Sequence, residues 1–289
     1  MELLFQQLVN GLTAGAEYAL VAAGLSLIFG VLEIVNFAHG EFYMVGTYML
    51  YVAETQGGLG YLPAALVAVL GMGVLGTLFY GVVIRRILNR GWQVQLVATL
   101  AVSIFLVNAA TVMAGPVPKV VPSPLSQVAV AIGGYHVSLQ RFVILGATML
   151  AFGLLFAYLR YTKTGKAMRA VAQNREAAAV VGIPIQRIGM AAVIASTALA
   201  GVASVTIAPL YTVSPTMGQL VVIKAFAAVI MGGFGNVSGA IVSAIVLGLV
   251  EAFGTAYISS DYADLFVFGV MILVLLVRPQ GLFGRAVRA

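Results

Sequence analysis

Long hydrophobic runs, rather than alternating or narrowly amphipathic segments, organise this chain. Four uncharged stretches, 61–84, 94–114, 142–159 and 188–213, each approach or exceed the roughly 20 residues a helix needs to cross a ~30 Å hydrocarbon core. Further apolar segments carry a charge or a break. Segment 8–30 holds Glu17, 34–53 holds "NFAHGEFYMVGTY" (36–48), 219–232 holds Lys224 and 240–258 holds Glu251. The last run, 265–277, is short and is expected to borrow "SSDYAD" and Arg278 at its interfaces. The pattern predicts about nine segments, eight of them full spans if one is re-entrant. The fold class is therefore all-α, a polytopic integral membrane protein of 8–9 transmembrane segments with broken helices. The glycines of "GMGVLGTLFYG" (71–81) suit close helix–helix approach in lipid.

Composition agrees and narrows the chemistry. Of 289 residues, 62% are hydrophobic and 8% charged, against about 25% charged in a typical soluble domain. There is no cysteine, so disulfides and thiolate metal sites are excluded, and His39 and His136 are the two imidazoles. The start, "MELLFQQLVNG", lacks the basic region of a cleaved signal peptide, and the first span is expected to be retained.

Charge sets the orientation. Twelve of the 15 Lys and Arg fall into three clusters: Arg85, Arg86 and Arg90; Arg160, Lys163, Lys166, Arg169, Arg175 and Arg187; Arg278, Arg285 and Arg288. Even numbers of spans separate the clusters, so all three are expected on the cytoplasmic side. The other side then receives "GPVPKVVPSPLSQ" (115–127), Glu54, Asp261 and Asp264, and counting back places the N-terminus outside. The net charge of +6 is read as this bias, not as nucleic-acid binding.

The second cluster lies in "YTKTGKAMRAVAQNREAAAVVGIPIQRI" (161–188), too polar to span. Thr164 is a candidate cap, the Ala-rich run that follows has high helix propensity, and Gly182 and Pro184 stop it. A cytoplasmic helix about four turns long is expected, with Met168, Val171, Ala172 and Ala179 near one face. Its apolar side chains are too small to anchor in a bilayer, which favours docking to a soluble partner over lying on lipid headgroups.

At this point the chain resembles the permease subunits of bacterial branched-chain amino acid ABC importers, in particular the first of that system's two paired permeases. The resemblance runs through "GLTAGAEYALVAAGLSLIFGVLEIVNFAHGEFYMVGTY" (11–48), the 161–188 loop, "VIKAFAAVIMGGFGNVSGAIVSAIVLGLVEAF" (222–253) and "LVLLVRPQGLFGR" (273–285). It implies a single transmembrane permease domain over 1–289, a multi-pass protein of the bacterial plasma (inner) membrane. It implies that 165–182 is the coupling helix, with Gly165, Ala167, Arg169, Ala170, Asn174, Ala178 and Gly182 as its contacts to an ATPase subunit. The partners it implies are two ATP-binding cassette subunits, a second permease (homologous or identical), a soluble substrate-binding protein and the lipid bilayer. Apolar, branched-chain amino acids are the leading substrate class, with urea, short amides and aromatic acids as related possibilities.

No cofactor is expected, and no enzymatic step. The phosphate-loop pattern G-x-x-x-x-G-K-[ST] is absent: "KTGK" (163–166) has no earlier glycine, and "GGFGNVSG" (232–239) has no lysine and reads as a turn between membrane segments. The polar stretch at 36–48 then needs a reading. His39 and Glu41 do not make a metal site or a hydrolase, because no cysteine half-site, H-E-x-x-H or G-x-S-x-G accompanies them. An alternative is a proton-coupled secondary transporter using Glu17, Glu33, Glu41 and Glu251 as buried acids. The preferred reading is a broken helix weakened at Gly40, whose freed backbone groups bond to Asn36, His39 and Glu41. Interrupted segments point to transport sites, and 34–53 and 219–239 are two of them. Asn36, His39, Glu41 and Lys224 are accordingly the candidate pathway residues, with capping of a helix junction the equally weighted alternative for His39 and Glu41.

Overall fold

The computed structural model describes residues 2–132 and 135–284. Helices α1 (Glu2–Leu32), α2 (His39–Thr55) and α3 (Tyr61–Phe79) come first. A π-helical turn (Tyr80–Ile84) carries α3 into a last turn, α4 (Arg85–Ile87). Next are α5 (Trp92–Ala114), an antiparallel hairpin of β1 (Ala129–Ile132) and β2 (Tyr135–Ser138), and α6 (Leu139–Tyr161). Two short helices follow, α7 (Lys163–Gln173) and α8 (Arg175–Val180). The chain closes with α9 (Ile185–Ile207), α10 (Met217–Gly232), α11 (Val237–Tyr257) and α12 (Ala263–Val277).

Among the described residues, seven helices are long and apolar enough to cross a membrane; α10 is a shorter apolar helix. With α2, the expected nine segments are all present. The short last run does borrow from its N-terminal side: a 3-10 turn at Ser260–Tyr262 extends α12 to 18 residues. The hairpin within the outer loop is the sole sheet among the described residues.

Burial sorts the helices. α1 is buried along nearly its whole apolar length and α9 along most of it, while α5, α6 and α12 bury little. The bundle is therefore α1 wrapped by α2, α9, α10 and α11, with α3 backing α2 and α9. Its tightest seam is small-residue packing of α1 on α11. A β-carbon at Gly248 would strike the backbone of Gly15, and one at Gly15 would lie 2.8 Å from the Cα of Ile245. Such contact replaces the hydrophobic drive that lipid cannot supply. Gly76 in the 71–81 run plays the same part, lying against Thr197 of α9.

The described members of the three basic clusters gather at one end. Arg175 donates to Asn89 at 3.4 Å, Leu32 touches Gly189 beside Tyr80, and Gly30 meets Gly235. Gly233 of that same turn packs on Gly284, and the Leu282 amide bonds to Met231 at 2.7 Å. Arg285 and Arg288 lie outside the described residues. At the opposite end the Lys119–Val213 backbone bridge ties the outer loop to the segment before α10.

Candidate functional site

The helix α1 stops at Leu32, and Glu33 turns the chain with φ 58°, the single non-glycine residue with positive φ among those described. Residues 33–38 form an irregular link in which the Asn36 side-chain oxygen accepts from the Ala38 amide at 3.1 Å. This is the local bond by which Asn competes with regular backbone. The helix α2 then starts at His39 with no side-chain cap on its N-terminus. The break foreseen within 34–53 is therefore a junction between two helices, lying just ahead of Gly40 rather than at it.

The junction is buried: Asn36 and His39 are fully inaccessible and Glu41 is 1% exposed. Two hydroxyls of α5, Thr99 and Ser103, stand one turn apart and reach it. Thr99 donates to the Val35 carbonyl at 3.3 Å, and Ser103 donates to one carboxylate oxygen of Glu41 at 2.9 Å. These are the two buried positions of α5, so the helix is fastened to the bundle largely by its polar edge. The other Glu41 oxygen and the Asn36 Nδ2 have no hydrogen-bond partner, and the His39 ring meets the backbone of Val21. A β-carbon at Gly24 would lie 2.7 Å from His39 Nε2 and 2.9 Å from Ser196 Oγ, and that hydroxyl is also unpaired.

Above the junction α2 crosses α10. A β-carbon at Gly40 would overlap the Gly218 carbonyl, and one at Gly218 would overlap the Gly40 carbonyl. The same β-carbon at Gly218 would sit 2.9 Å from Glu41 Oε2. The two interrupted segments thus meet backbone to backbone, with Glu41 beside the contact.

Lys224 is not part of this cluster. It leaves α10 toward α11 and α12, where Nζ pairs with Glu251 Oε1 at 2.6 Å and Asp264 Oδ1 at 3.2 Å. Tyr18 donates to the second Glu251 oxygen at 2.8 Å and offers its ring 5.6 Å from Nζ. Nearby, buried Glu17 takes a hydrogen bond from Tyr43 of α2. Sequence spacing cannot tell which neighbouring helix a lone lysine meets, and here it is α11 and α12, not α2. Glu33, named among the buried acids, is exposed. Ser103, Gly218 and Tyr18 were missed from sequence. Thr99 and Ser103 at i, i+4 on an otherwise apolar helix were the available signal.

The helix expected over 165–182 is two helices. Asn174 adopts extended backbone and its side-chain oxygen caps α8, accepting from the Ala177 amide at 2.8 Å. The cap of α7 is Thr162, not Thr164; its hydroxyl accepts from the Gly165 amide at 2.9 Å. The stop at Gly182 is as expected. Gly182 has φ 83°, its amide bonds to Ala179 and that of Ile183 to Ala178, a Schellman ending. Met168 and Val171 face inward, but Ala172 and Ala179 are exposed and Ala178 takes the inner position. Of the seven candidate contacts, Gly165 and Ala178 are buried within the chain, Gly165 against the backbone of Tyr158 and Leu159. Ala167 and Ala170 are half-buried, and Arg169, Asn174 and Gly182 are exposed. Val180 and Val181, missed from sequence, are 87% and 75% exposed. A cleft of ≈ 800 Å³ between α8 and the start of the junction is lined by Glu33, Asn89, Arg175 and Glu176.

The chain matches the family model described as "Branched-chain amino acid transport system / permease component" over residues 7–275. It is 34% identical to the high-affinity branched-chain amino acid transport system permease protein BraD of Pseudomonas aeruginosa, covering 97% of this chain and 95% of that protein. It is 33% identical to LivH of Escherichia coli K12 over the same shares, and 29% identical to a probable LivH of Methanocaldococcus jannaschii over 92% and 88%. These are transport permeases and not enzymes, and they lend no support to a proton-coupled secondary transporter. With seven spanning helices this is a multi-pass inner-membrane protein, and it belongs to the permease components of branched-chain amino acid transport systems.

Proposed function

We propose that this chain is one permease half of an ATP-driven importer that moves branched-chain amino acids across the membrane. A second permease, identical or homologous, completes the path. Two ATP-binding cassette subunits dock on the basic end at α7–α8, and a soluble binding protein delivers substrate at the opposite end. The end-to-end similarity to BraD and LivH is the observation that carries this reading.

The coupling element fits the task. Met168, Val171 and Ala178 root it in the bundle, while Arg169, Val180 and Val181 project without internal partners of their own size. Arg suits bidentate contact with carboxylates or carbonyls, and two bare valines give an apolar tip. The α8 helix also borders the cleft that ends at Glu33, where α1 gives way to the junction. A push on α8 by closing ATPases therefore lands beside the one irregular link leading to His39 and Glu41, which we assign to the transport pathway.

The test is Arg169→Glu in the complete complex. The ATPase subunits are expected to be lost on purification and uptake to fall, with the permease still folded and the binding protein still binding substrate. A helix that merely lies on headgroups predicts weaker lipid association with an intact complex. Normal subunit ratio together with normal uptake would overturn the docking assignment.

A further inference from the structure

We propose that Glu41 and the first turn of α10 form a receptor for the zwitterionic head group of an α-amino acid in transit; this rests on the importer reading above. Glu41 is 1% exposed, and one of its oxygens is committed to Ser103 at 2.9 Å. The other has no hydrogen-bond partner and points at Gly218, the second residue of a 16-residue helix. A helix start carries the positive end of the helix dipole; here Met217 and Gln219 already donate to Ser214 and Thr216, and His39, Glu41 and Phe42 to Asn36 and Ala38, which leaves the amides of Gly40 and Gly218, at the crossing itself, for a carboxylate. Such ends receive carboxylates. Glu41 itself stands in the first turn of α2, so two positive helix ends and one carboxylate converge where Gly40 and Gly218 keep side chains out of the way.

A buried oxygen left unpaired bears its desolvation cost without return, and a ligand that satisfies it recovers that loss. The complementary ligand has an ammonium for Glu41 Oε2 and, within one carbon of it, a carboxylate for the helix ends. An amine alone leaves the amides unmet, and a carboxylate alone meets the Glu41 charge. An α-amino acid satisfies both. The neighbour across the crossing, Val222, adds no polar group that would favour a polar side chain. The crossing is closed in this structure, with α5 bordering it through Ser103 on Glu41.

The experiment uses the complete transporter in lipid nanodiscs without the binding protein, nucleotide-free and ATP-bound. Saturation-transfer NMR reads leucine, with 4-methyl-2-oxopentanoate (no ammonium) and isoamylamine (no carboxylate) as competitors. The expected result is a leucine signal in at least one state, weakened at least tenfold by Glu41→Gln, with neither analogue competing as leucine itself does. Glu41→Asp, which keeps the charge one methylene back, should retain part of the signal and covers the case in which the glutamine variant fails to fold. Equal leucine signals in wild type and Glu41→Gln, effective competition by either analogue, or no leucine signal on wild type in either state would overturn the receptor. Failure of the wild-type system to take up leucine would instead sink the importer reading. Uptake with a leucine signal indifferent to Glu41 sinks this inference alone.

Discussion

Two polar clusters stand in the same apolar bundle, the one at His39 buried and the one at Lys224 part-buried, and they are built on opposite plans. Around Lys224 the described charges are closed on one another: the ammonium holds two carboxylates and faces a tyrosine ring, and Tyr18 fills the second oxygen of Glu251. Around His39 the groups are left open. The Asn36 amide nitrogen, one Glu41 oxygen and the Ser196 hydroxyl have no partner, and the His39 ring meets the Val21 backbone. Buried polar groups are ordinarily bonded, and half-satisfied networks are costly. A closed cluster spanning α1, α10, α11 and α12 is what fastens helices in a solvent without a hydrophobic drive between them. An open one at the junction of α1 and α2 is what a part that changes partners requires.

The largest effect is expected from breaking the closed cluster. Lys224→Met leaves Glu251 and Asp264 without their cation; Lys224 and Glu251 are part-buried and Asp264 is exposed, so the loss is expected at or below the low end of the about 3–5 kcal/mol typical of a fully buried pair. The yield of folded permease and its Tm should fall together. The double change Lys224→Met, Glu251→Gln should restore most of both. A single variant that folds like wild type yet fails in uptake would return Lys224 to the pathway and erase the contrast between the clusters.

Next is the crossing of α2 and α10. Gly40→Ala puts a β-carbon into the Gly218 carbonyl, which backbone cannot yield as a side chain can, so a loss of about 1–3 kcal/mol is expected. Gly146 of α6 has open space at its β position, and Gly146→Ala should stabilise by about 0.5–1 kcal/mol through helix propensity. Thermal melts of the pair decide it. Equal, favourable shifts would mean that the Gly40–Gly218 approach is not as close as described.

Glu41→Gln keeps the shape of the open cluster and its Ser103 bond but removes charge. Leucine uptake by the complete reconstituted system should fall about tenfold, equivalent to roughly 1.4 kcal/mol, with Tm nearly unchanged. Normal uptake would reduce Glu41 to a replaceable cap. A fall in Tm matching that of Lys224→Met would place it in the same structural class as the closed cluster.

The contrast between the clusters was only partly legible in sequence. Spans were plain because twenty uncharged residues in a row have few uses outside lipid, and the basic clusters ordered them. The break near His39 was legible because Asn36, His39 and Glu41 crowd a short apolar stretch. Pairing was not. Whether Lys224 faces Gly40 of α2 or Glu251 of α11 depends on how α10 is rotated, and an apolar helix surrounded by apolar neighbours carries little periodicity to fix that. The split of the 165–182 segment at Asn174 was hidden by its own surroundings. An Ala-rich run reads as continuous helix, while one Asn side chain is enough to cap a second helix and turn the first aside. Burial of Gly165 and Ala178 escaped for the same reason, since small residues serve close packing and exposed surfaces alike.

The smallest effect should come from Ser196→Ala. The hydroxyl is fully buried and unpaired, next to the His39 ring and Gly24. Were it a passive defect of the bundle, removing an unsatisfied buried oxygen would stabilise by up to about 1 kcal/mol, and uptake would be untouched. An open cluster that changes partners predicts otherwise. The same modest gain in Tm is expected, because this closed conformation gives Ser196 nothing, but uptake should slow about twofold to threefold as His39 loses a partner it meets when the junction moves. Melting curves and uptake measured on one preparation separate the cases. A gain in Tm with uptake unchanged would leave Glu41 as the working group of the junction and reduce His39 and Ser196 to filling.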